Sequence, residues 1–267
     1  MQPMLNIALR AARIAGEQIA RSAERIDLIK SEQSSISDFL NETATKAEQT
    51  IAYSIQKAYP AHTLIGEFSG VHKSLEENTD VTWHINPIDS VSNFSNGLPV
   101  FAICMSAEMK GRIEHAVILN PINGEEFTAS RGNGAHLNGK RLRVSNKRLL
   151  EQTIIGSSFL NSASEKAQFE TFKQILCQLQ SANAIFHNSG SAALNMAYTA
   201  AGRLDGFIQI KIDPQILNAG ALIIQEAGGL LGDFKGSNDF RKNGNTVAAN
   251  PKLFKALLKA IRQSSED

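Results

Sequence analysis

An α/β protein is predicted, with an α+β first half and an α/β second half. Three features of the 267-residue chain carry that expectation. Near the start, Leu5, Ala8, Leu9, Ala12, Ala15 and Ile19 recur at helical intervals. The stretches "VTWHINPID" and "VFAICMSAEMKGRIEHAVILNP" are β-rich, the latter reading as two strands turned at Lys110-Gly111. Beyond about Leu149, apolar strands alternate with amphipathic helices. No repeat or low-complexity linker interrupts the chain, so residues 1–148 and 149–267 are expected to be halves of one compact unit.

Taken in order, residues 4 to about 26 read as a surface helix packed on one face. "ATKAEQTIAYSIQKAYP" (Ala44 to Pro60) repeats the pattern, and Pro60, which cannot donate a backbone hydrogen bond, stops it. "HTLIGEFSG" is a short strand ending at Glu67 with glycine punctuation. "EEFTASRGNGAHLNGKRL" continues the strand-turn pattern, with Gly132, Gly134 and Gly139 at turns. In the second half, "TIIGSSF" is a buried strand and "SEKAQFETFKQILCQLQS" an amphipathic helix. "SGSAALNMAYTAAGRLDGFIQI" is a small-residue helix followed by a strand. "ILNAGALIIQEAGGLLGDF" is a helix closed by Gly228-Gly229 before another strand, and "NPKLFKALLKAIRQSSED" is a last helix with a polar tail.

Composition narrows the function classes. Hydrophobic residues make up 42% and charged residues 20%, as in an ordinary globular protein. With 27 basic and 26 acidic residues the net charge is +1, so there is no electrostatic signal for nucleic acid or an anionic membrane. The basic cluster "GKRLRVSNKR" (Gly139 to Arg148) reads as a solvated loop face. Cys104 and Cys177 lie far apart in apolar contexts and read as buried thiols of a reducing compartment. Arg10 and Arg13 break the first apolar run before it could serve as a signal peptide. No stretch reaches the roughly 20 apolar residues of a membrane span, so a cytoplasmic location is expected.

The segments "PMLNIALRAARIAG", "YPAHTLIGEFSG", "NPIDSVSNF", "FTASRGNGAHLNGKRLR", "SGSAALNMAYTAAGRLDGF" and "AGALIIQEAGG" fall in one order and spacing. Together, nearly end to end, they resemble the inositol monophosphatase family, most closely its bacterial SuhB branch. The resemblance implies a five-layer α/β/α/β/α sandwich and a phosphomonoesterase that uses two or three Mg²⁺ ions. Mg²⁺ requires oxygen ligands in near-octahedral geometry, and paired ions clamp the phosphate and generate hydroxide from bound water. The family takes its ligands from a Glu-Glu pair, from D-P-[IL]-D-G-T and from W-D in W-D-x-A-A-G. An early-loop lysine and aspartate complete the site, and that aspartate and the threonine of D-G-T orient the attacking water.

At those positions the sequence departs from the family pattern. Glu67 keeps the first glutamate, and Phe68 replaces the second. Asp89 is retained and Ile88 offers its backbone carbonyl, while Asn86 stands where the first aspartate belongs. Ser90 and Val91 replace Gly-Thr, and Gln215 and Ile216 replace Trp-Asp. In the early loop, counted from Asp38-Phe39, Ala44 takes the water-orienting aspartate's place and Ser34 the lysine's. Of the four side-chain carboxylates expected around the metals, Glu67 and Asp89 survive. Each lost unit charge removes on the order of 8 kcal/mol of attraction to a divalent ion at about 4 Å and an effective dielectric of 20, before desolvation and mutual repulsion are counted. Loss of a water-orienting group is a separate defect of about 10²–10³ in rate.

The expectation is therefore a pseudoenzyme with no tightly bound cofactor and at most one weak Mg²⁺. Ser90, Ser92, Gly190, Ser191 and Ala192 would be relicts of the substrate cleft. The SuhB resemblance implies a homodimer with a non-catalytic role in transcription antitermination on ribosomal RNA operons, binding NusA and RNA polymerase. His187 and Asn188 replace the arginines that the branch places at its dimer contact. The alternative is an altered phosphatase acting on inositol 1-phosphate or a similar sugar phosphate, with Glu67, Asp89, Asn86 and the Ile88 carbonyl around one ion. A third reading is a module that binds a small anion without turnover. Without the family, Glu67 and Asp89 are loop carboxylates capping backbone amides, and Asn86 before Pro87 is a turn residue. On the same view His84 and His187 are hydrogen-bonded scaffold histidines, Ile216 fills a core or interface gap, and Gly190-Ser191-Ala192 permits close helix packing.

Overall fold

A computed structural model describes residues 2–32, 35–77, 80–158 and 166–263. Three helices open the chain: α1 (Pro3–Ala23), α2 (Ile26–Ser31) and α3 (Ile36–Ala58). Next come β1 (Thr63–Gly66), β2 (Val71–His72), β3 (Val81–Asn86) and the short helix α4 (Val91–Ser95). The first sheet is completed by β4 (Ile103–Met109), β5 (Arg112–Asn120), β6 (Glu125–Ser130), β7 (Gly134–Leu137) and β8 (Lys140–Arg141). Its order is β2-β1-β3-β4-β5-β6-β7-β8; β1 and β3 run parallel and the other neighbours antiparallel.

The remainder of the chain supplies β9 (Ile154–Ser157), α5 (Lys166–Ser181), β10 (Ile185–Asn188), α6 (Ala192–Ala200) and β11 (Gly206–Gln209). It ends with α7 (Pro214–Glu226), β12 (Leu230–Gly232), α8 (Phe240–Asn243), β13 (Thr246–Ala249) and α9 (Pro251–Gln263). The second sheet is ordered β10-β9-β11-β13-β12, parallel on the β10 side and antiparallel on the β12 side.

Helices and sheets alternate in layers. The pair α1 and α3 pack on each other, with α1 against β5; α6 and α7 lie between the two sheets; α5 and α9 cover the far face of the second sheet. This is the α/β/α/β/α order that the resemblance implied. Helix α1 forms because Pro3 suits a first turn and its apolar stripe is buried from Leu5 to Ile19. Gly16 on that helix lets it sit close to Leu119 and Pro121. Lys110 and Gly111, both at positive φ, make the tight turn between β4 and β5 where the sequence placed it.

Several elements differ from expectation. The helix expected from Ala44 starts at Ile36, because the Ser35 side chain accepts a hydrogen bond from the Asp38 amide at 3.2 Å and caps it. The presumed early loop around Asp38-Phe39 and Ala44 is therefore helical. The first helix ends at Ala23 and a separate turn, α2, follows. Cys104 is buried as expected, but Cys177 is exposed, since the buried stripe of α5 runs through Phe172, Ile175 and Leu179 and bypasses it. The edge strand β10 and strand β13 are short segments that carried no pattern in the sequence.

The middle layer is joined closely to its neighbours. Glu226, at the end of α7, accepts from the amides of Gly132 (2.8 Å) and Gly134 (2.7 Å) in the β6–β7 turn. Glu125 on β6 pairs with Arg203 and accepts from the Tyr198 hydroxyl at 2.8 Å. Between α6 and α7, a Cβ on Gly220 would lie 2.5 Å from the Met196 sulfur. Gly220→Ala is expected to lower stability by about 1–3 kcal/mol through overpacking. Urea denaturation checks this, and Met196→Ala in the same background should recover part of the loss if the collision is the cause.

Candidate functional site

The "WHINPIDSVSNF" stretch runs from β3 into the N-terminus of α4 and faces α6 and α7 across a cleft of about 280 Å³. Glu67, Asn86, Ile88, Asp89 and Ile216 line it. Ser90, Val91, Ser92, Gly190 and Ala192 line it as well. The structure thus gathers most of the residues that the sequence singled out. Ser191 acts from behind the wall, as the N-cap of α6. Ala44 does not line the cleft; it is fully buried in the core shared by α1, α3 and the first sheet, and Phe68 packs against that same core. Ser34 lies outside the described residues.

Asp89 is the most heavily bonded of these groups. Oδ1 accepts from the Ala102 amide at 2.7 Å. Oδ2 accepts from the Ser191 hydroxyl at 2.6 Å and from the Ala193 amide at 3.0 Å. Ser191 in turn accepts from the Leu194 amide, so one carboxylate fixes both the loop before β4 and the first turn of α6. Loss of solvation outweighs these bonds and raises its pKa to about 6.

Glu67 is held indirectly. Glu48, on α3 and wholly buried, accepts from the amides of Glu67 (2.7 Å), Phe68 (3.0 Å) and Ser69 (2.6 Å) and from the Ser69 hydroxyl (2.5 Å). A side chain on Gly66 would collide with that carboxylate. The Glu67 carboxylate points to Asn86, whose Nδ2 donates to it at 2.6 Å. Desolvation, followed by the negative charges of Asp213 and Glu48, raises the Glu67 pKa to about 7, with Asn86 opposing and Asp89 adding a little. Much of the residue remains open to solvent, so that desolvation acts on one side only. Asn86 is buried, and its Oδ1 has no hydrogen-bond partner among the described residues.

Two residues that matter here went unremarked in the sequence. Asp213 caps α7 by accepting from the Gln215 amide at 2.8 Å and lines the cleft beside Ile216. The other is Glu48, a carboxylate on the apolar stripe that includes Ala44, Ala47, Ile51 and Ile55; its place there was the available signal. Lys211 lies exposed on the rim, while Gln209 and Ser158, bonded to each other at 2.8 Å, complete the wall. Of the two histidines, His84 bonds Glu108 at 3.2 Å as a scaffold residue should. His187 has no such bond among the described residues; it is exposed on β10, an edge strand.

Do these groups fit the paired Mg²⁺ ions that the resemblance implies? Such ions need several anionic oxygens free to converge. Both Asp89 oxygens are occupied by protein donors, Asn86 turns its amide nitrogen toward Glu67, and Ile216 contributes hydrocarbon. The residues present do not fit a two-ion site.

Residues 1–266 match the inositol monophosphatase family. The chain belongs to that family. Within this inositol monophosphatase family, it is 46% identical over 262 residues to the Nus factor SuhB of Pseudomonas aeruginosa, covering 98% of this chain and 97% of that one. It is 43% identical over 267 residues to the Nus factor SuhB of Escherichia coli K12, covering 100% of this chain and 98% of that one. The crystal structure of the extragenic suppressor protein suhB from Bartonella henselae superposes with a TM-score of 0.85 at 31% identity, covering 98% and 100% of the two chains. The protein is thus a SuhB-like member of the family, and among the described residues no helix is long and apolar enough to cross a membrane.

Two outcomes test the electrostatics of this family member's cleft. Glu48→Ala leaves three part-buried amides without their acceptor and should cost about 3 kcal/mol in urea denaturation; a loss below about 1 kcal/mol would mean that the loop is held otherwise. Glu67 binds its proton more tightly folded than unfolded, so the stability it lends is present below about pH 4.5 and is lost as pH rises through about 7. Glu67→Gln should therefore gain on the parent protein across that window, by on the order of 1 kcal/mol after solvent screening, with a flat difference outside it.

Proposed function

We propose that this protein has given up Mg²⁺-dependent phosphate hydrolysis and serves as a SuhB-type protein-binding factor in transcription antitermination. The observation that carries the reading is the double commitment of Asp89. The one fully retained carboxylate of the D-P-I-D loop is spent on the Ala102 and Ala193 amides and the Ser191 hydroxyl. Ile216, on α7 opposite, offers no replacement charge. A scaffold so joined keeps its surfaces while its cleft lacks the groups that would polarise a phosphate and orient water.

The name Nus factor SuhB, carried by two relatives, is compatible with NusA and RNA polymerase as the partner class, and the acting form in this reading is a homodimer. The exposed edge of β10, with Ile185, His187 and Asn188 toward solvent, gives the dimer contact a different chemistry from the Arg-rich one of the branch. Any Mg²⁺ in the cleft is a single, weakly held ion near Glu67.

The deciding measurement is Mg²⁺-dependent phosphate release from inositol 1-phosphate. It compares the natural protein with a variant carrying Asn86→Asp, Val91→Thr and Ile216→Asp, all at positions that line the cleft. The expected result is background release from the natural protein and at least about 10²-fold more from the rebuilt one. Saturable release by the natural protein that disappears in Glu67→Ala would overturn the reading in favour of an altered phosphatase.

A further inference from the structure

We propose that the outer face of α9 docks the phosphate backbone of a double-helical nucleic acid, without regard to base sequence. Lys252, Lys255, Lys259 and Arg262 follow one another along that helix at intervals of three, four and three residues. At about 100° per residue these positions form one stripe, and Leu253, Leu257, Ala260 and Ile261 form the opposite one. The apolar stripe is buried in the core of the second sheet, and the basic stripe is exposed. No acidic residue lies on the helix.

Two neighbouring segments extend the same charge. Arg262 donates to the carbonyl of exposed Lys235 at 2.6 Å, which ties the β12–α8 connection to the end of α9. Asn250 donates to the Lys147 carbonyl at 2.6 Å, which brings the exposed Lys147-Arg148 end of the basic loop to the start of the helix. Among the described residues none of these cations is in an ion pair. Acids of the flanking segments are mostly engaged: Asp233 accepts from the Lys235 and Ser237 amides, Asp239 pairs with Lys242, and Glu170 on α5 pairs with Lys173. Glu151, three residues beyond Arg148, is left without an ion pair among the described residues. The net charge of +1 conceals this face because it sums these cations with acids placed elsewhere, as in the cleft.

The kind of side chain decides the partner. Lysine is depleted in protein–protein interfaces, whose centres are apolar and aromatic. Helix α9 exposes no large hydrophobic side chain, and Leu149, next to Arg148, adds one apolar group rather than a patch. A helix lying on a membrane would need its apolar stripe free, and here that stripe is in the core. Single strands are held by stacking bases on aromatic rings, and the one aromatic residue of α9, Phe254, is buried. Regularly spaced charge remains, over about 15 Å from Lys252 to Arg262 at 1.5 Å per residue, enough to meet several phosphates of a duplex.

The test is fluorescence anisotropy of a labelled RNA duplex of about 20 base pairs and mixed sequence, titrated with the natural protein at about 50 and about 200 mM salt. Saturable binding in the micromolar range is expected at the lower salt, with log Kd rising on log salt with a slope of about 3. Lys252→Gln, Lys255→Gln and Lys259→Gln together should weaken it about tenfold or more and flatten that slope. These positions are exposed, so the fold is retained. Lys30→Gln, Lys46→Gln and Lys57→Gln, exposed on α2 and α3, make the same change in net charge and should leave binding within about twofold. A DNA duplex of the same sequence separates the sources: tighter binding of either assigns it, and equal binding assigns the backbone common to both. No binding at the lower salt, or equal loss in the two triple variants, would overturn the proposal. Displacement by poly-L-glutamate at a lower charge concentration than by unlabelled duplex would overturn it in favour of an acidic protein surface. Phosphate release plays no part in these readings, so this inference and the loss of hydrolysis stand or fall separately.

Discussion

The carboxylate of Asp89 is the constraint on which the centre of this molecule depends. It follows β3, it reaches forward to the strand entry at Ala102, and it holds the first turn of α6 through Ser191 and Ala193. The first sheet and the middle helical layer are therefore joined at this charged group, as they are further out at Glu226 and Glu125. Three donors around a desolvated anion form a costly but specific joint, because removing any one leaves a buried charge under-satisfied. Two backbone amides and one hydroxyl together engage both of its oxygens.

Around that joint, the site is arranged by carboxylates whose hydrogen bonds among the described residues come from backbone amides, hydroxyls and one side-chain amide. Glu48 organises the 67–69 loop through backbone amides, and Asp213 organises the start of α7 in the same manner. Each uses amide dipoles as its counter-charge, and the described lining of the cleft also carries the cationic Lys211. Asn86 is the neutral member of the group, and its amide nitrogen bridges to Glu67 where a second carboxylate would repel it.

Much of this was legible from residue pattern, and the illegible parts have physical reasons. Helix α1 and the β4–β5 hairpin declared themselves because burial on one face leaves a period in the sequence and a two-residue turn needs Lys110-Gly111 chemistry. The first two turns of α3 did not, because "ISDFLNET" is mostly polar and its helix is fixed by one capping hydroxyl, Ser35. Strand β10 is four residues long, mostly exposed and paired on one side, so neither burial nor alternation marks it. The substitutions at Asn86, Val91 and Ile216 could be read directly, and all three line the cleft. Asp213 and Glu48 escaped because their roles lie in accepting backbone hydrogens, which no spacing of residue types announces.

The self-satisfied state of Asp89 also has a bearing on how the fold answers its surroundings. When a native state contains a bound ion, folding and ion concentration are linked by mass action, and the folded population rises and falls with supply of the ion. The bonds that Asp89 makes to Ala102, Ser191 and Ala193 carry no such linkage. On the reading proposed above, the joint at Asp89 answers to temperature and pH and not to the supply of a divalent ion.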